Sequence, residues 1–78
     1  QYNKTIMITF KIESTAPISE AFRERGITDF KQACEYIRQL PYKRNKDRDH
    51  LLNVLEEQKG VCSTKHAVLR KLALENNH

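Results

Sequence analysis

The chain has 78 residues, enough for one small domain, and carries a formal net charge of +4 with 31% charged residues. No apolar run approaches the roughly 20 residues of a membrane span, and no signal-peptide pattern is present. Two cysteines, Cys34 and Cys62, are too few for a disulfide-rich secreted scaffold. We therefore expect free thiols and a cytoplasmic protein that does not contact membranes, with a single disulfide as the alternative.

Residues 4–12 alternate between apolar and polar side chains, and Ile6, Ile8, Phe10 and Ile12 share one side. This alternation predicts a half-buried β-strand over residues 4–12. A lone strand is unstable, so it needs a partner from outside the segment or from a second copy of the chain. We therefore expect a homo-oligomer that forms through the N-terminal strand.

Four helices are predicted after the strand, over residues 18–25, 28–40, 49–59 and 62–75. The predicted fold class is therefore α+β and mostly helical, with one N-terminal strand followed by about four helices. Residues 1–78 form a single small domain or a domain fragment in this interpretation.

The residues at the predicted helix ends explain these boundaries. Thr28 is a suitable N-cap for the second helix, and Pro41 disfavours α geometry at the residue before it. Asp47 or Asp49 caps the third helix, and Gly60 suits the left-handed position that closes it.

Cys62 is the candidate catalytic residue because it falls at the predicted start of the fourth helix, next to the capping residue Ser63. The positive end of the helix dipole and the neighbouring Lys65 both favour a thiolate, which is the nucleophilic form of cysteine. Helical spacing places Cys62 on one stripe with Leu69 and Ala73. We therefore expect the thiol on the inward face of this helix.

A thiol nucleophile needs a base, and the chain offers three histidines. His66 lies one helical turn from Cys62, but adjacent turns of one helix constrain the approach of the two side chains. His50 falls in the first turn of the predicted third helix, and His78 is the last residue. None of the three is a strong candidate for the base.

A metal site is the other chemistry to consider, with Cys62 and His66 as two ligands. No Cys-x-x-Cys or His-x-x-x-His pair supports it, so we expect no metal and no cofactor. Cys34 lies in an apolar stripe with Ala33 and Ile37, which predicts a small buried hydrophobe rather than a reactive thiol.

The strongest basic cluster is the run Lys-Arg-Asn-Lys-Asp-Arg at residues 43–48. It has the charge to meet phosphate groups. Asp47 and Asp49 interrupt it, however, and no nucleic-acid motif accompanies it. We therefore interpret it as a solvated loop and do not expect nucleic acid as a partner.

The run Gly-Val-Cys-Ser-Thr-Lys-His at residues 60–66 resembles the nucleophile segment of transglutaminase-like proteins, which share the papain-like fold. Their motif is a Gly-x-Cys turn that opens a long central helix, with a small residue about one turn later. The stretch Leu40-Pro41-Tyr42 and the helix after it also fit the approach to that cysteine. The resemblance covers about residues 30–74. The Cys-Ser-x-Lys-His form of the motif looks most similar to a bacterial branch of the family.

The resemblance implies that Cys62 is the nucleophile of a Cys-His-Asp triad that acts on amide or peptide bonds through a thioester. An amine or water then resolves the thioester, so the substrate is a protein or peptide. The family's histidine and aspartate follow the cysteine on later strands. We therefore expect an inactive N-terminal portion of such an enzyme, and only Cys62 is carried over. The alternative is a small basic helical module that binds a protein partner or nucleic acid.

Overall fold

The computed structural model describes residues 9–78, and within them the chain forms four helices. They are α1 (Pro17–Glu24), α2 (Phe30–Gln39), α3 (Leu52–Glu57) and α4 (Cys62–Glu75). The longest helix, α4, packs against each of the other three, and α1 also packs against α3. No helix in the described part of the chain is long and apolar enough to cross a membrane.

The predicted N-terminal strand is wrong for the described residues, and so is the α+β class. Residues 9–78 contain no strand and no sheet, only the isolated bridges Lys11–Asp29 and Tyr42–Gly60. The chain therefore belongs to the mostly helical class over the range that the structure describes. Residues 4–8 of the predicted strand lie outside the described residues. The homo-oligomer that depends on them therefore stays a prediction.

Hydrogen bonds around the Lys11 bridge show why the alternating pattern does not become a strand. The Ile12 amide donates to the Thr28 carbonyl at 2.8 Å, and the Phe30 amide donates to the Phe10 carbonyl at 2.9 Å. The pairing segment is the start of α2, where the chain turns into a helix. A β-ladder needs a second extended segment, so pairing stops after this one bridge.

The observed helix ends agree with some predictions and correct others. α4 has the predicted bounds, and α2 ends before Leu40, whose ψ of 145° is the extended conformation expected before Pro41. The N-cap of α2 is Asp29 rather than Thr28, because the Asp29 carboxylate accepts from the Gln32 amide at 2.8 Å.

α3 is shorter than predicted because neither aspartate caps it. Asp47 instead closes a local turn, in which its side chain accepts from the Asp49 amide and its carbonyl accepts from the His50 amide. Gln58, with φ of 54°, holds the left-handed position at the end of α3. The prediction that Gly60 holds it is wrong.

The core lies between the four helices and takes buried apolar side chains from all of them and from the loops. Its members are Ile12, Ile18, Phe22, Ile27, Ala33, Ile37, Leu40, Val54, Leu55, Val68 and Leu72. Because α4 contacts every other helix, the position of its first turn is fixed by most of this core.

The last turn of α4 also caps the first turn of α1, whose N-cap Ala16 has no side-chain acceptor. The Glu75 carboxylate accepts from the amides of Ile18 and Ser19 at 3.2 and 2.7 Å. The neighbouring Asn76 side chain accepts from the Glu13 and Ser14 amides. These bonds fix α4 at its C-terminal end.

Candidate functional site

Cys62 is the first residue of α4, and its side chain is exposed. The prediction that it faces inward is wrong, because the buried residues of α4 are Thr64, Val68 and Leu72. At about 100° per residue, Cys62 lies roughly 120° around the helix from the centre of that stripe. The thiol is therefore open to solvent at the N-terminal end of the longest helix.

The first turn of α4 leaves backbone donors free. The N-cap is Val61, and its amide donates to the Thr64 hydroxyl at 3.0 Å, so Ser63 does not cap the helix. Within the described part of the chain, the N–H groups of Cys62, Ser63 and Thr64 donate to no protein atom. Three free donors at a helix N-terminus favour a negatively charged oxygen beside the thiol.

Lys65 does not serve the thiol in the way that the sequence suggests. Its ammonium group donates to the Leu40 carbonyl at the C-terminal end of α2. This bond satisfies a carbonyl that the helix leaves open and fastens α2 to the start of α4. The free backbone amides, rather than Lys65, are therefore the positive groups next to Cys62.

The structure keeps two of the three histidines away from Cys62. His78 stacks on Phe10 with ring centroids 4.3 Å apart, beyond the C-terminal end of α4. His50 lines a surface cavity with Lys71 and Glu75, near the same end. α4 has 14 residues, so its ends are separated by roughly 20 Å. Only the exposed His66 remains within one turn of the thiol.

A cavity of about 530 Å³ opens at the first turn of α4, and Cys62 itself is not among the residues that line it. α4 and its cap contribute Val61, Ser63 and Thr64, and the preceding loop contributes Tyr42, Arg44, Asn45, Lys46, Asp47 and Arg48. The predicted solvated loop is thus folded over the start of α4. Arg44, Lys46 and Arg48 of the loop line the same cavity as Ser63 and Thr64 of the first turn.

Asn45 anchors this loop, a role that the sequence pattern does not predict. Its side chain is 7% exposed and donates to the Glu57 carboxylate at 3.0 Å and to the Lys59 carbonyl at 2.9 Å. Its own Oδ1 is buried and has no hydrogen-bond partner within the described residues. The available signal was that Asn45 is the one uncharged residue in the run at 43–48.

Gly60 lets the loop approach the first turn of α4 closely. A Cβ atom at this position would lie 3.0 Å from the Thr64 hydroxyl oxygen and 3.6 Å from the Asn45 Oδ1. The backbone of Gly60 also pairs with the loop, since its amide donates to the Pro41 carbonyl and its carbonyl accepts from the Lys43 amide. A glycine is needed here for space and not for a left-handed conformation.

Two further sequence predictions concern Cys34 and metal binding. Cys34 is half-buried in α2, and burial raises the pKa of its thiol, with Arg38 opposing part of the effect. Both cysteines are free thiols. In residues 9–78, no three histidine, cysteine or acidic side chains are grouped so that they could hold a metal ion.

Comparison with known proteins adds no relative. No protein-family model, curated protein or solved structure matches the chain. The resemblance to transglutaminase-like proteins therefore stays a prediction that depends on residues 60–66 and on the order of the helices.

Proposed function

We propose that Cys62 is the nucleophile of a cysteine enzyme that acts on amide carbonyl groups through a thioester. The observation that carries this proposal is the position of Cys62 as the first, exposed residue of α4, beside unpartnered backbone amides. The resemblance of residues 60–66 to transglutaminase-like proteins supports the same chemistry.

The free amides suit the charge that develops in acyl transfer. When a thiolate attacks an amide carbonyl carbon, a new C–S bond forms and the carbonyl electron pair moves onto oxygen. Free backbone N–H groups at the start of α4 can donate to that oxygen, and fixed donors of this kind lower the barrier without reorganising. The oxyanion then collapses, the C–N bond breaks, and the amine leaves with a proton from a general acid. Water or a second amine attacks the remaining thioester and releases the thiol.

The support for a base is weaker than the support for the nucleophile and the oxyanion donors. His66 is the one histidine within a turn of the thiol, and no carboxylate is hydrogen-bonded to it in residues 9–78. The first experiment should therefore use an acyl donor whose leaving group needs no proton. An activated ester such as 4-nitrophenyl acetate meets this requirement.

We expect 4-nitrophenyl acetate to acylate Cys62 selectively, with one acetyl group per chain in intact-mass spectrometry and Cys62 identified in the peptide map. Cys34→Ser should react like the parent protein, and Cys62→Ser should not react. A double variant, Cys62→Ser with Gln39→Cys, moves the exposed thiol to the last residue of α2. Acylation of this displaced thiol at an equal rate would contradict a role for the α4 amides.

The basic cavity supports a second candidate function, a module that binds nucleic acid through phosphate contacts. Arg44, Lys46 and Arg48 line one cavity at a helix N-terminus, which is a favourable arrangement for phosphate. Fluorescence anisotropy with a single-stranded oligonucleotide would test it. Binding by three phosphate contacts should weaken with a log–log salt slope of about −2. Binding that is absent at low salt would contradict this function.

A further inference from the structure

The cavity at the first turn of α4 carries an excess of positive charge. Elsewhere, two arginines are engaged with the backbone: Arg23 donates to the carbonyls of Ile12 and Ser14, and Arg25 donates to those of Ala21 and Leu55. These bonds use the two guanidinium groups to hold the backbone in place.

The three cations of the cavity make no such bonds. The side chains of Arg44, Lys46 and Arg48 are exposed and donate to no atom of the described residues. Among the described residues, Asp47 is the one acidic residue that lines the same cavity, so three positive side chains and one negative give the lining a formal charge of +2. The free amides at the start of α4 add to this positive potential.

The loop that presents these cations is built in advance of any ligand. Asn45 is buried between them and is bonded to Glu57 and Lys59, while the Lys46 amide donates to the same Glu57 carboxylate. A binding surface that is already ordered loses less conformational entropy when a ligand binds. The cations therefore form a cavity wall and not a freely moving tail.

The proposed reaction distinguishes between the anions that such a cavity attracts. It acts on an amide carbonyl group, which a peptide backbone carries and a phosphate backbone lacks. A peptide carboxylate is the anion that fits both the charge of the cavity and this reaction.

We infer that this cavity binds an acidic peptide segment and so selects acyl donors with an aspartate or glutamate next to the reacting carbonyl. The inference rests on the proposed function, because the cavity is lined by Val61 and Ser63, the residues before and after Cys62 in the chain, and not by Cys62 itself. A carboxylate held by the loop would bring its neighbouring carbonyl to the first turn of α4. A cavity with a net positive charge raises the local concentration of negatively charged ligands.

The rate experiment compares 4-nitrophenyl esters of two short peptides that differ only by aspartate or asparagine at the acyl residue. At low ionic strength we expect Cys62 to react about tenfold faster with the aspartate ester, and the ratio should fall as salt is added. The variant Arg44→Gln/Lys46→Gln/Arg48→Gln should lose the preference. A control, Lys31→Gln/Arg38→Gln/Arg70→Gln, removes the same charge from exposed positions outside the cavity and should keep it. Equal rates with the two esters in the parent protein would overturn the inference.

A binding experiment separates this inference from the proposed chemistry. Fluorescence anisotropy with a labelled acidic peptide and the Cys62→Ala variant measures the cavity without any reaction. Binding that the loop variant loses supports the inference even if Cys62 fails to react with any ester, an outcome that removes only the proposed function. A single-stranded oligonucleotide of equal charge that binds more tightly than the peptide would overturn the inference and assign the cavity to nucleic acid.

Discussion

Glu75 and Ser19 join the last turn of α4 to the first turn of α1. One carboxylate oxygen of Glu75 lies 2.7 Å from the Ser19 amide nitrogen and 2.7 Å from the Ser19 hydroxyl oxygen. Ser19 is fully buried, so water cannot replace the acceptor that it would lose. A charged cap supplied from another helix does here what a capping side chain does within one helix.

Removing this acceptor should destabilise the protein. We expect Glu75→Ala to lower the free energy of unfolding by about 2 kcal/mol, because two backbone amides and a buried hydroxyl lose their partner. Glu75→Gln keeps one acceptor oxygen and should cost less. Urea denaturation measures both, with Glu35→Gln as a control at an exposed position on α2. Equal stabilities for Glu75→Ala and the parent protein would contradict the capping role.

The second prediction concerns pH. The hydrogen bond from Asn45, helped by the Lys46 amide, holds the pKa of Glu57 below its ordinary value. A lowered folded-state pKa contributes stability that is present above the unfolded pKa and is lost as pH falls through the folded value. The contribution should therefore disappear in acid, below the ordinary range of a glutamate.

Titration of the Glu57 carboxyl group by NMR spectroscopy checks this. Asn45→Ala should raise the pKa of Glu57 toward its ordinary value, because its largest stabilising partner is gone. Asn53→Ala is the matched control, since the Asn53 amide donates to the Asp47 carbonyl and not to Glu57. A Glu57 pKa that is the same in the parent protein and in Asn45→Ala would count against the anchoring bond.

The third prediction concerns thiol reactivity. Iodoacetamide near neutral pH should alkylate Cys62 at least tenfold faster than Cys34. Cys62 is exposed, whereas Cys34 is half-buried and burial raises the pKa of its thiol. Mass spectrometry of alkylated peptides over time gives both rates. Labelling of Cys34 first would contradict the observed exposure and would remove the basis for Cys62 as a nucleophile.

The fourth prediction uses the left-handed residue at the end of α3. Gln58 has a positive φ, which costs a residue with a Cβ atom about 1 kcal/mol relative to glycine. Gln58→Gly should therefore stabilise the protein by about 0.5–1 kcal/mol. A glycine at Glu35, an exposed position in the middle of α2, should destabilise it by up to about 1 kcal/mol. Thermal unfolding of the two variants should shift in opposite directions, and a shift in the same direction would disprove the assignment.

The sequence predicted the helices well where a local signal decides the structure. α4 begins at Cys62 and ends at Glu75 as predicted, and Pro41 ends α2 through its steric effect on Leu40. The prediction of secondary structure failed where the conformation depends on a segment that is distant in the sequence. The apolar alternation of Phe10 and Ile12 does not produce a strand, because the segment beside it turns into α2 after one bridge.

The candidate site was predictable in position but not in composition. The Gly-x-Cys pattern located the thiol at a helix start, yet Cys62 was expected to face inward. The buried stripe is instead centred on Thr64, Val68 and Leu72, because the Thr64 hydroxyl turns back to cap the helix. The spacing of apolar residues does not predict that a polar residue such as Thr64 is buried when its side chain caps the helix. The folding of the basic loop over the first turn depends on Asn45, a tertiary contact.

The two ends of α4 have a consequence for the order in which the chain acquires its structure. At one end Lys65 fastens α2, and at the other Glu75 caps α1, across separations of 25 and 56 residues. Because α4 is synthesised after the other three helices, these bonds are unavailable while the ribosome is still adding residues before it. Until Glu75 has been added, the first turn of α1 lacks this cap and the C-terminal end of α2 lacks its bond from Lys65.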